Sequence, residues 1–144
     1  MIIFVPFEPG HIDLIRVQPE QKWELEAMPE AEREELVKHD SWSAFKDGEC
    51  LGCGGVIDFA PSWPHRALAW ALVGNEIGLD MVQIVRFIRG YIAAYPAERV
   101  EAVVDCDFIN GHRFAEMLGF KLEAPRMVKY GHGGRDMALY ARVN

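Results

Sequence analysis

The sequence predicts a mixed α/β domain of the α+β kind, a mostly antiparallel sheet of about six or seven strands flanked by about four helices. Three observations carry this. The tract SWSAFKDGECLGCGGVIDFA, from Ser41 to Ala60, alternates apolar and polar residues around Asp47-Gly48, the signal of a two-residue hairpin turn. The run GNEIGLDMVQIVRFIRGYIAAYP, from Gly74 to Pro96, switches to helical period. Beyond it, strand-like and helix-like stretches alternate to the end of the sequence.

Each element follows from its residues. A short strand, Ile2 to Val5, leads through a Pro-Gly turn into the apolar segment HIDLIRV. In the acidic stretch PEQKWELEAMPEAEREELVKHD, Pro19 and Pro29 stand where proline opens a helix, and the run after Pro29 spaces Glu and Lys helically. Two short helices with solvated acidic faces are expected there. Three antiparallel strands follow between about residues 41 and 73, the third, RALAWALV, apolar enough for burial on both faces. In the next helix Val85, Ile88, Ile92 and Tyr95 form a stripe, with Gln83, Arg86 and Arg89 toward another side. RVEAVVDCDF reads as a strand and NGHRFAEMLGF as a helix of about two and a half turns, burying Phe114, Met117 and Leu118. Gly119 stops it in a left-handed conformation that folds Phe120 back on the preceding turn. FKLEAPRMVKY is extended and broken by Pro125, and GHGGRDMALYARV is a Gly-rich turn into a last strand.

The 144 residues, half of them hydrophobic, suit one domain with a core that folds without staples. No stretch approaches the roughly 18 apolar residues of a membrane span, and MIIFVPFEPGH lacks the basic start and cleavage site of a signal peptide, so a cytoplasmic protein, or one packaged after cytosolic synthesis, is expected. Cys50, Cys53 and Cys106 form an odd set, read as reduced. CLGC has half the spacing of a zinc site, with no second half to complete it, and on a strand its thiols point to opposite faces. No metal site is expected, and small buried residues is the preferred reading.

The net charge of −7 is unevenly placed. Residues 1–60 carry 5 Lys/Arg against 13 Asp/Glu, whereas residues 110–144 carry 6 against 3. An acidic total excludes general nucleic-acid binding, since a polyanion would be repelled, and leaves room for a local anion site in the C-terminal half.

The element order resembles the GNAT acyl-CoA N-acyltransferase fold, and Asn110 followed by RFAEMLGF resembles the Asn and the Leu-Gly-Phe helix of that family. GHRF, LGFKLEAP, KYGHGGRD and ALYARV are similar to the ends of GNAT-like proteins of tailed phages and prophages. The resemblance implies acetyl-CoA as cofactor, transfer of an acetyl group to an amine of a small molecule or protein, and no membrane partner. The phage likeness implies the alternative of a catalytically silent virion-associated or assembly protein that binds other phage proteins through its acidic first part or through exposed aromatics, for which Trp23, Trp42 and Trp63 are candidates unless they belong to the core.

The family holds the cofactor pyrophosphate on a Gln/Arg-x-x-Gly-x-Gly/Ala loop at a helix N-terminus. NEIGLD stands at that place: Gly78 fits the central glycine, Asn75 replaces the long polar side chain, and Asp80 stands where a tiny residue is expected. Asp80 would repel a pyrophosphate unless turned away, or else it simply starts a helix. The family's strand-four glutamate and helix tyrosine are both missing, for RALAWALV has no carboxylate and Ala115 occupies the tyrosine's place. Substitutes are Glu76 at the loop, Asp105 and Asp107 sharing one face of the fifth strand, Tyr130 in the last turn, and His112 or His132 as surface histidines. Each has a plain alternative: an exposed loop acid, a helix cap at Asp107, an isolated surface group. Cys106, buried in its strand with no adjacent histidine, is the weakest nucleophile. By the resemblance Asn110 bonds the pantetheine arm; as a bare residue it is an N-cap. Arg86 and Arg89 lend charge to a phosphate or snorkel over the core.

Overall fold

A computed structural model describes residues 1–22, 28–75 and 77–143. In chain order the elements are β1 (Ile3–Pro6), a 3-10 helix (Pro9–Leu14), a 3-10 turn (Pro19–Gln21), α1 (Glu30–Val37), β2 (Asp40–Lys46), β3 (Glu49–Asp58), β4 (Arg66–Val73), α2 (Asp80–Ala94), β5 (Arg99–Asp105), α3 (Ile109–Met117), β6 (Lys121–Met127), a 3-10 turn (His132–Gly134) and β7 (Met137–Val143). The strands hydrogen-bond in the order β1-β2-β3-β4-β5-β7-β6. This is the expected mixed, mostly antiparallel sheet with its helices, and β4 with β5 is a parallel pair. The chain divides into two units: residues 1–57 with 70–83, and residues 58–69 with 84–144.

In the first unit the hairpin turn sits where Asp47-Gly48 places it, with φ +50° and +80° at the two residues. The strands it joins pair Lys46 with Glu49 and Phe45 with Cys50, but then Ala44 with Gly52. Leu51 is therefore an extra residue, a bulge that reverses the alternation beyond it. Cys50 and Cys53 consequently share one apolar cluster with Phe7, Ile12, Ile15, Leu36 and Leu72, correcting the expectation of opposite faces. Both thiols are free, and burial pushes each above its ordinary range. Ser43, fully buried, donates its hydroxyl proton to His11 Nδ1 at 2.8 Å, and His11 Nε2 faces Glu8 at 3.1 Å. Of the two helices expected before β2, α1 begins after Pro29; Pro19 opens a 3-10 turn, and the stretch into which the other helix would continue lies outside the described residues. Residues 23–27, including Trp23, lie outside the described residues. Only Ala67, Leu72 and Val73 of β4 are buried, so RALAWALV is half-covered along its middle.

In the second unit β7 pairs with β5 over its whole length, from Arg99↔Val143 to Asp105↔Met137. β6 runs unbroken through Pro125, because it is the edge strand and proline's missing N–H costs no ladder bond there; the register shifts on either side instead. The buried stripe of α2 is Ile84, Ile88 and Ile92, with Val85 and Tyr95 on its margin. On α3 the buried residue is Ala115, followed by Leu118 and Phe120, while Met117 is 44% exposed. The helix ends at Gly119 (φ +93°), whose N–H bonds Glu116 O at 3.0 Å while the Phe120 N–H bonds Ala115 O at 3.1 Å. That crossed pair is a Schellman stop, which needs the left-handed residue a glycine supplies. No helix among the described residues is long and apolar enough to cross a membrane.

Candidate functional site

Within the first unit, β4 ends at Val73 and the chain turns through Gly74 and Asn75 toward the N-terminus of α2. The Gly74 N–H bonds Leu51 O at 2.8 Å and the Asn75 N–H bonds Arg16 O at 2.6 Å, fixing the loop against the hairpin. Gly78 adopts φ +64°, and a Cβ there would meet nothing within 4 Å, so the loop presents bare backbone to open space. The Met81 and Val82 amides close a tight first turn on the carbonyls of Gly78 and Leu79. The amides of Leu79 and Asp80 make no backbone hydrogen bond to another described residue, and they lie at the positive end of the helix.

Beside this turn lies a recess of about 260 Å³, lined by Arg16, Lys46, Asn75, Ile77 and Asp80 together with Asp47, Glu49 and Cys50. Lys46 donates to Asp80 Oδ2 at 2.9 Å and to Oδ1 at 3.2 Å, and this hydrogen-bonded carboxylate holds the Lys46 ammonium above its ordinary range. Asp80 therefore sits at the helix start as one half of a neutral pair, its charge answered by Lys46. Arg16 is extended into solvent, 4.0 Å from Glu49. Charge around the recess is mixed, and Gly78, three residues past Asn75, is not one of the residues that line it.

The other sequence-derived candidates are placed as follows. Glu76 lies outside the described residues. Asp107 falls beyond the end of β5, in the turn, and does not share a strand face with Asp105; its backbone N–H donates to Asp105 Oδ1 at 2.9 Å. Phe108 holds the N-cap position of α3, so neither Asp107 nor Asn110 caps it, and Asn110 is an exposed residue of the first turn. Tyr130, 62% exposed, lies in the loop after β6. His112 is no loose surface histidine: its Nε2–H donates to Cys106 O at 3.0 Å, and its Nδ1 accepts the buried Tyr140 hydroxyl at 2.7 Å. Cys106 is partly exposed just past β5 rather than buried in it. Arg89 donates to Met117 O at 3.2 Å, across to the end of α3. Thus the structure brings Asn75 and Gly78 together, and places Asp107, Asn110 and Tyr130 in the other unit. Ala115 is buried on α3 at 4% exposure.

Sequence reasoning missed Lys46, whose partner is 34 residues away, and missed a second polar cluster. Asp58, at the end of β3, accepts from the Tyr95 hydroxyl at 2.5 Å, from His65 Nε2 at 2.7 Å and from the Ala60 N–H at 2.7 Å. The phenol first, then the histidine, hold its carboxyl below the usual range against the opposing effect of burial. Among the described residues no group of three or more His, Cys, Asp or Glu is arranged to hold a metal ion.

Solved structures of acetyltransferases share this architecture along their whole length. A probable acetyltransferase from Staphylococcus epidermidis ATCC 12228 superposes with a TM-score of 0.79 at 14% identity, covering 100% of this chain and 99% of that one. The chain has the GNAT acetyltransferase fold. An acetyltransferase of the GNAT family from Streptococcus pneumoniae matches at TM-score 0.69 and 15% identity over 100% of both chains. A NatC complex bound to Gag peptide and CoA matches at TM-score 0.68 and 12% identity, covering 99% of this chain and 98% of that one. No family model matches the sequence, and no curated protein matches it. On that fold, the head of α2 carries an acid paired with a lysine, and α3 carries a buried alanine at position 115.

Proposed function

We propose that this GNAT-fold chain binds acetyl-CoA and transfers its acetyl group to an amine of a small molecule or protein in the cytoplasm. The observation that carries the reading is the neutralised Asp80. A free carboxylate at the head of α2 would repel a pyrophosphate, whereas one held by Lys46 leaves the bare Gly78 backbone at the helix start usable. Asn75 would add an amide donor beside it. Asn110 is proposed as a cofactor contact on the resemblance alone.

The chemistry asked of the protein is modest. A neutral amine attacks the thioester carbonyl, a C–N bond forms, the C–S bond breaks, and the amine's proton leaves to water or to the departing thiolate. With no carboxylate on β4 and alanine at position 115, the chain supplies positioning and backbone polarisation rather than a strong base. Glu76, Asp107 and Tyr130 stay as candidate proton carriers to be tested by substitution. The rate should then rise with pH up to the pKa of the acceptor amine, and a separate limb that disappears on substitution of one of these three would identify it as a proton carrier.

Thiol release from acetyl-CoA across a panel of amines tests the reading. Amine-dependent release supports transfer. Acetyl-CoA binding with no release for any amine would instead favour the silent phage-type assembly role.

A further inference from the structure

We propose that Arg89 and Arg142, converging on the Gly119 turn, form a binding site for a phosphate dianion, separate from the recess at α2. Both belong to the second unit. The space a Gly119 side chain would occupy is flanked by Arg142 Nη1 at 3.6 Å and Arg89 Nε at 3.9 Å. Two guanidinium groups thus lie against one spot that the glycine leaves open.

Neither forms an ion pair among the described residues. Arg99, Arg126 and Arg135 of the same unit each reach a carboxylate: Glu101 and Glu123, Asp136, and Asp105 respectively. Arg89 and Arg142 reach none among the described residues. Arg142 Nη1 is buried and makes no hydrogen bond, although a desolvated cationic donor normally finds an acceptor. Arg89 uses one N–H on Met117 O, which answers the negative end of α3, and keeps its remaining donors. Two like charges around a glycine, one of them partly desolvated, form an arrangement that an anion between them would complete. Planar guanidinium forks favour a tetrahedral dianion, whose several oxygens can take both, over a monovalent carboxylate.

The turn itself does not explain the pair. Its two backbone bonds, Gly119 N–H to Glu116 O and Phe120 N–H to Ala115 O, close the helix without either arginine. Gly119 and Arg142 belong to the net-positive segment 110–144, and Arg89 with them to the C-terminal half in which a local anion site is expected.

The test is a titration of the ¹⁵N-labelled protein with sodium phosphate at fixed ionic strength, read at the Gly119 amide and the arginine Nε resonances, with acetate and chloride as parallel arms. A saturable shift with phosphate is expected, weakened about tenfold or more in Arg89→Gln and in Arg142→Gln and far weaker with acetate. Arg89 is exposed, so its variant folds whatever becomes of Arg142→Gln, and an unmoved Gly119 resonance in the ion-free variant shows that the turn is intact. No saturable shift, an unchanged affinity in Arg89→Gln, or equal effects of acetate or chloride would overturn the proposal. Acetyl-CoA binding by the same variants stays at the native value if the two sites are separate, so failure here leaves the acyl-transfer reading standing.

Discussion

Tyr95→Phe removes one hydroxyl and nothing else from the Asp58 cluster, which makes its effect calculable. The lost bond is a 2.5 Å contact from a phenol to an ionised carboxylate. Hydrogen bonds to charged groups contribute about 1.5–3 kcal/mol, and removing the donor leaves the carboxylate to find water instead. Asp58 and His65 side chains are each 28% exposed, so solvent replaces part of the interaction, and a loss of about 1–2 kcal/mol is expected. For a chain of this length that is a fall in Tm of roughly 3–8 °C. The pH dependence has a fixed sign. The folded carboxyl titrates below its unfolded value of about 3.9, so its stabilisation is fully present above about pH 4 and is lost as pH falls through the folded value. Urea denaturation of native protein and variant at about pH 7 and about pH 3 measures both effects. The gap should be largest at neutral pH and narrow in acid. A variant as stable as the native protein at neutral pH, or a gap that widens in acid, would refute the cluster as a stabilising network.

Other outcomes follow from single residues. Gly119→Ala forces a side chain into the left-handed region at φ +93° and should destabilise by about 1–2 kcal/mol in urea, with the loss seated at the end of α3. Burial raises the Tyr140 phenol above its ordinary value, so Tyr140→Phe should remove an ionisation above the usual phenol range from the absorbance titration; the stability it contributes is present below about pH 10 and lost as pH rises through the folded value. Cys106 should react first with iodoacetamide in the native state, while Cys50 and Cys53, buried and held protonated, react only on unfolding.

The element order was legible because each signal is local. Asp47-Gly48 announces its turn, Gly119 its helix stop, and the period from Asp80 to Ala94 its helix, needing only neighbours in sequence. What failed depends on pairing. The Leu51 bulge, invisible in CLGC, is an irregularity in the register between two strands, and it alone places both thiols in one cluster. Pro125 looks like a break until its strand is known to be an edge, and the helix faces of α2 and α3 are off by one position because only packing decides between adjacent stripes. At the candidate site, a loop pattern in the sequence singles out Asn75 and Gly78. The Lys46 that changes the meaning of Asp80 was not, since strand β2 brings it there from 34 residues upstream. Asp58, His65 and Tyr95 carry no motif, for a hairpin end and a helix end must meet before they form a group.

The claim that the α2 N-terminus is a usable cofactor cradle is tested most directly by calorimetric titration of acetyl-CoA into the purified chain, beside Gly78→Glu and Lys46→Met. Micromolar binding is expected for the native chain, lost in Gly78→Glu, where a carboxylate enters the open space, and weakened in Lys46→Met, where Asp80 loses its partner. No heat of binding at millimolar acetyl-CoA, or native affinity in Gly78→Glu, would contradict it.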